Sequence, residues 1–265
     1  MNKIALCIGI NDYPGTDADL AGCANDAQDW AKVLAQRGFA VSLLLNGEAT
    51  LAALRAGIAD LVDDAAAGDS LVVTYSGHGT WRPDASGDEA DGRDEGLCPW
   101  DIGTAGPLLD DEIHGLFARR RDGVRLVLIS DSCHSGSVTR GAAIHGEADA
   151  PRPRFLPPAT WLPALAQPRA GPRRGAVPAR APRRVGGDLL LAACQDNQYS
   201  WDTSFKGRPN GAFSYYAQKT LRDLPTGASY ADWHAAIRNH LPAVAYPQTP
   251  RLFGSPAALR REALG

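Results

Sequence analysis

Two short stretches carry the groups that could do covalent chemistry. "SDSCHSG" (130–136) lines up an acid, a hydroxyl, a thiol and an imidazole behind an apolar run, and "YSGHG" (75–79) sets a second imidazole between glycines. A thiolate is the reactive form of cysteine, and a neighbouring imidazole can generate it. Cys133 is therefore a candidate nucleophile, with His134 beside it and His78 far upstream as the two imidazoles that could serve it. Gly77, Gly79 and Gly136 flank these residues and let backbone come close to a substrate. Acyl transfer also needs amide donors for an oxyanion, and the N–H groups of Gly79 and Cys133 are the obvious suppliers. Two plainer readings stand beside this one. Free cysteines are mostly small buried hydrophobes, as expected of Cys7 and Cys194 inside apolar runs, and a loop histidine such as His78 can simply bond backbone.

The elements that must position these groups are legible in the pattern. Strands are expected over 3–10, 40–45, 70–77, 124–130 and 188–194, and helices over 21–38, 49–67 with Thr50 as cap, and 108–120. "GAFSYYAQKTL" and "SYADWHAAIRNHL" read as two further helices. Continuous apolar strands alternating with helices mean an α/β fold, a mostly parallel sheet with helices on both faces. Ligands of such sheets bind beyond the carboxyl ends of the strands, and His78 and Cys133 leave the third and fourth strands at that edge. They form the candidate dyad.

Composition bounds the rest. The chain has 265 residues, 44% hydrophobic, with a net charge of −3. That suits one large domain and points to neither nucleic acid nor a membrane surface as a partner. Five scattered cysteines without a CxxC pair support neither a disulfide framework nor a zinc knuckle, and fit a reducing, cytoplasmic setting. "MNKIALCIGI" is too short for a signal peptide, and no stretch is long enough to span a bilayer. Residues 81–107 read as a long acidic loop. Residues 151–185 are rich in Pro and Arg, with no acid between Asp149 and Asp188, and read as a linker or mobile loop. It divides a single domain (1–265) into a larger part (1–150) and a smaller part (186–265), whose strand is expected to join the same sheet.

"YSGHG" followed by "DSCHSG" closely resembles the caspase-like cysteine peptidases, in particular their metacaspase and orthocaspase branch. "LAGCANDAQDWAKVLAQRGF", "DGRDEGLCPWD" with "LLDDEI", "AACQDNQYSWD" and "GAFSYYAQKTL" extend the resemblance over nearly all the chain except the Pro/Arg insert. It implies a caspase-like three-layer sandwich and a cysteine endopeptidase. Cys133 would be the nucleophile, His78 the general base and then the acid to the leaving amine, and His134 a local neighbour. Adjacent side chains leaving a strand point in opposite directions, which allows that assignment.

The resemblance also implies a substrate. Metacaspase-like enzymes cut after Arg or Lys through an acidic pocket, and the matching positions are Asp26, Ser76 and Asp131. Two carboxylates near a guanidinium give charge-assisted bonds. Without the family, Asp26 would read as a first-turn helix acid and Asp131 as a turn residue. Trp201 stands where many relatives have a small residue, either covering a substrate stem or restricting nearby subsites, or simply packing a loop. No cofactor is required, but calcium is open, because some metacaspases bind it through aspartates matching Asp94, Asp110 and Asp111. Against it, a further family aspartate is Arg140 here, and the stretch Asp84–Glu95 is no EF-hand, having Glu89 where the turn demands glycine. An enzyme that cuts after Arg could also cut its own insert, at Arg169, Arg174, Arg180 or Arg184; Arg152 precedes Pro153 and is a poor site. Cell death or defence in bacteria, and control by a regulatory partner or small signal, rest on analogy alone. The alternative is a non-catalytic caspase-like module that binds basic peptides.

Overall fold

A computed structural model describes residues 1–84, 92–133, 150–162 and 189–265. Its sheet is built from five parallel strands whose side chains alternate between two cores. The strands are β1 (Lys3–Gly9), β2 (Ala40–Leu45), β3 (Ser70–Ser76), β7 (Arg125–Asp131) and β9 (Leu189–Ala192). A sixth, β12 (Arg251–Gly254), closes one edge antiparallel to β9, giving the order β12-β9-β7-β3-β1-β2. Successive residues of a strand face opposite sides. Leu6 and Ile8, Leu71 and Val73, and Leu126 and Leu128 point into one apolar cluster. Ala5 and Cys7, Val72, and Val127 and Ile129 point into the other.

The first cluster is covered by α2 (Leu51–Asp63) and α4 (Asp110–Ala118), which supply Leu54, Ile58, Ile113 and Phe117. The second is covered by α1 (Cys23–Gln36), α6 (Ala212–Asp223) and α7 (Tyr230–Arg238), with Trp30, Phe213 and Trp233 at its centre. This is the expected three-layer α/β sandwich. Each anticipated helix and strand lies within a few residues of its expected bounds, and Thr50 caps α2 by accepting from the Ala53 N–H.

The structure differs from the sequence reading in two places. Within the acidic stretch, β4 (Gly79–Pro83) and β5 (Arg93–Leu97) form an antiparallel pair, joined by β6 (Leu108–Leu109), with the short α3 (Ile102–Ala105) between them. The surface charges hid this pairing, while Leu97, Cys98 and Ile102 are buried beneath it. The start of the Pro/Arg segment is also ordered structure rather than a loose linker. It forms β8 (Arg152–Pro153) and the single turn α5 (Pro158–Trp161), and Leu156 and Trp161 pack into the first core cluster. A second small sheet, β11-β10-β8, combines β8 with β10 (Trp201–Phe205) and β11 (Arg208–Gly211). Among the described residues no helix is long and apolar enough to cross a membrane.

Candidate active site

β3 and β7 are neighbours in register, with Ser76 opposite Asp131, so the residues that follow each strand emerge side by side at the sheet's carboxyl edge. His78 lies just past β3 and Cys133 just past β7, both buried. The His78 backbone is fixed by two phenols: its N–H donates to Tyr13 Oη at 2.8 Å and its carbonyl accepts from Tyr75 Oη at 2.7 Å. A Cβ on Gly77 would meet both hydroxyls inside 3 Å, so only glycine fits there.

The His78 ring lies 2.6 Å through Nε2 from the Ala18 carbonyl, which can only accept. That oxygen requires the proton on Nε2 and leaves Nδ1 as the basic nitrogen. Nδ1 is buried and has no hydrogen-bond partner. Burial lowers the imidazole pKa to about 4, the Ala18 bond opposing, so the ring is neutral and able to accept a proton. Cys133 Sγ does not meet it in this arrangement. The thiol accepts from the Ser200 N–H. A hydrogen bond with Cys133, and then burial, push the Cys194 thiol well above its ordinary value.

The two expected amide donors converge. Gly79 N–H at 3.0 Å and Cys133 N–H at 3.1 Å both donate to one oxygen, the carbonyl of Arg154. These are distances at which preorganised donors stabilise an oxyanion. The side chain of the same residue fills a fully buried pocket. Arg154 Nη2 lies 2.6 Å from Asp26 Oδ2 and 2.8 Å from Asp202 Oδ1, and Nη1 lies 2.9 Å from Asp131 Oδ2. Burial alone would lower the guanidinium pKa, but the carboxylates outweigh it and hold it well above the usual value.

The pocket walls are held in turn. Asp26, in the first turn of α1, accepts from Asn210 Nδ2 at 2.8 Å and the Gly211 N–H. Asp131 accepts from Ser200 Oγ and from the Ser214 N–H at 3.0 Å. Asp202 accepts from the Ala21 and Gly22 N–H groups at the entry to α1. Gly211 forms the floor, where a Cβ would collide with both Asp131 and Arg154.

Of the residues singled out in the sequence, Asp26 and Asp131 meet around one guanidinium, and Gly79 and Cys133 around one carbonyl. Ser76 is buried, its Oγ 3.5 Å from Ser214 Oγ. Trp201 pairs across β10 with Pro153, one residue before Arg154, and so borders the neighbouring position rather than the pocket. The aspartates considered for calcium lie in β5 and at the start of α4. Asp94 is 3.1 Å from the Arg82 guanidinium, and Asp110 and Asp111 sit in the first turn of α4. Among the described residues no group of three or more His, Cys, Asp or Glu side chains is placed to hold a metal ion. His134, Gly136, Glu89, Arg140, Arg169, Arg174, Arg180 and Arg184 lie outside the described residues.

Sequence reasoning missed Asp202, Ser200, Asn210, Ala18 and Arg154. An acid straight after Trp201, and "NG" at a helix start, were available as signals. Ala18 gave none, because any residue can offer a carbonyl.

A family model described as metacaspase, peptidase C14 domain, matches residues 3–140. Metacaspase-1 of Cryptococcus neoformans is 35% identical over 96% of this chain and 62% of its own length. Metacaspase-1A of Aspergillus fumigatus is 34% identical over 94% of the chain and 67% of its own length. Metacaspase-4 of Arabidopsis thaliana is 41% identical over 52% of the chain and 34% of its own length. The chain thus spans less than two thirds of the Cryptococcus relative. Among solved structures, a Geobacter sulfurreducens protein superposes with a TM-score of 0.76 at 32% identity, covering 100% of this chain and 98% of that one.

Proposed function

The chain belongs to the metacaspase family, peptidase C14, and on that premise we propose that it is a cysteine endopeptidase that hydrolyses peptide bonds after Arg or Lys. One observation carries the reading: a guanidinium sits among three buried carboxylates while the carbonyl of the same residue rests on the Gly79 and Cys133 N–H groups. That arrangement suits a basic side chain next to a carbonyl about to be attacked.

Cys133, turned from Ser200 toward His78 by rotation about its Cα–Cβ bond, gives its proton to Nδ1 and attacks the carbonyl carbon. The developing oxyanion is held by the two amides. His78 returns the proton to the leaving amine, and water then hydrolyses the thioester. No step calls on a metal. Self-processing inside residues 151–185, a reducing cytoplasmic setting, and a role as an effector of bacterial cell death or defence belong to the same proposal. The setting is supported by five free cysteines.

A fluorogenic Arg peptide in the presence of EDTA tests it. Turnover is expected from the wild type and not from Cys133→Ala, with His78→Ala slowed by about 10²–10⁴-fold. Cleavage after Asp but not Arg would refute the acidic pocket. Binding of Arg peptides without turnover under any divalent-ion condition would favour a non-catalytic module.

A further inference from the structure

Two thiols meet at the carboxyl edge of the sheet, and peptide hydrolysis uses only one of them. β7 and β9 are parallel neighbours with Ser130 opposite Ala192, and the Ala193 N–H donates to the Ser130 carbonyl at 2.9 Å. Cys133 and Cys194 follow these strands, and the loop 194–200 touches both sulfurs. Cys194 Sγ lies 3.8 Å from the Ser132 carbonyl and 3.4 Å from the Gln198 carbonyl. Cys133 Sγ lies 3.6 Å from the Ser200 carbonyl and accepts from the Ser200 N–H. The two thiols share a hydrogen bond, which together with burial keeps Cys194 protonated well above the ordinary range. The other cysteines are buried elsewhere in the fold: Cys7 in β1, Cys23 at the start of α1 and Cys98 just past β5. A buried thiol pair can be plain packing, since free cysteines behave as small hydrophobes. Packing alone would not require that the sulfur which must reach His78 rest instead against a second sulfur.

We propose that Cys133 and Cys194 form a reversible disulfide under hydrogen peroxide, an oxidation site that switches the peptidase off. The inference rests on the reading of Cys133 as the nucleophile and adds its redox partner. Peroxide oxidises the Cys133 sulfur to a sulfenic acid, and one water leaves. Cys194 Sγ then attacks that sulfur. The S–S bond forms as the S–O bond breaks, and the departing oxygen takes the Cys194 proton and leaves as a second water. The two thiols lose two electrons and two protons in all, and peroxide is reduced to two waters. The order follows from reactivity. A thiolate is the form that attacks peroxide, and Cys194, held protonated, is the slower of the pair to start. Contact between the sulfurs gives the second step the advantage of an intramolecular reaction. A dithiol reverses it by exchange. While the bond stands, Cys133 Sγ is held toward Cys194 and cannot make the rotation that brings it to His78 Nδ1. The bond also stops oxidation short of the irreversible sulfinic acid.

Treating the purified chain with hydrogen peroxide, alkylating free thiols in denaturant and mapping the unreduced peptides by mass tests this, with Arg-peptide turnover followed in the same samples. The expected result is a cross-linked peptide pair joining Cys133 to Cys194, with Cys7, Cys23 and Cys98 alkylated. Turnover should fall by at least about tenfold in step with the cross-link and return with dithiothreitol. Cys194→Ser should lose turnover to the same peroxide and regain at most about a third of it with dithiothreitol, its Cys133 peptide carrying sulfinic acid. The wild-type map needs no variant to fold. Cys133 oxidised to sulfinic acid while Cys194 stays free, or cross-linked to any other cysteine, overturns the pair. A fully cross-linked chain that keeps its turnover overturns the switch. A chain that forms the cross-link yet never turns over the Arg peptide when reduced overturns the Arg-directed reading and leaves the oxidation site standing.

Discussion

Asp26 is where one residue's chemistry sets opposite demands on stability and binding. Burial raises its carboxyl from 3.8 to about 7, with the Arg154 guanidinium opposing and Asp131 reinforcing. In the folded chain it keeps a proton at pH values where the unfolded chain has lost it. Its contribution to stability is therefore full below the ordinary carboxylate value and lost as pH rises through about 7. A basic substrate wants the reverse, an ionised Asp26. KM for an Arg peptide is expected to rise as pH falls below neutrality, and Asp26→Asn should flatten that rise. The variant should also lower kcat/KM roughly ten- to a hundredfold, the loss of a charge-assisted hydrogen bond of about 1.5–3 kcal/mol. A wild-type KM independent of pH across neutrality would contradict this account. At this scale the motif residues were readable because their types are rare together. Arg154 was not, since an arginine among many carries no mark of its own, and Asp202 offered only its place straight after Trp201.

The elements bring the pocket together from opposite ends of the chain. Asp26 comes from α1, Asp131 from the end of β7, Asp202 from β10, and the glycine between β11 and α6 lets them close around a guanidinium. Gly211→Ala would put a methyl group into Asp131 and Arg154. It should lower kcat/KM for Arg peptides by more than about tenfold and reduce Tm, both measurable on one preparation. An unchanged kcat/KM would mean that the floor yields and that the pocket does not depend on it. The main-sheet strands and helices were legible because apolar runs and helical periodicity leave long signals. β8, β10 and β11 were not, because they are two to five residues long and their pairing is decided by partners far away in sequence.

For the whole molecule, the sheet's carboxyl edge is a platform only while both helical layers stay seated. Trp233 is fully buried, donates from Nε1 to the Ala217 carbonyl at 2.9 Å and meets Trp30 edge-on at 6.0 Å between ring centroids. Trp233→Ala is expected to cost about 3–5 kcal/mol in urea denaturation, from lost burial and the cavity left behind. A cost under about 1 kcal/mol would mean that α7 packs independently of the sheet. The variant removes no group of the cleft, so kcat under strongly native conditions should stay near wild type.

By itself the sequence determined the layered fold and the thiol and distant imidazole at neighbouring strand ends. These follow from local periodicity and from a compact pair of motifs. Only the tertiary structure decided what stands in that site now. The residue that fills the pocket, the third carboxylate and the carbonyl that orients His78 come from segments remote in the chain. Their roles depend on distances of about three ångströms that only folding creates.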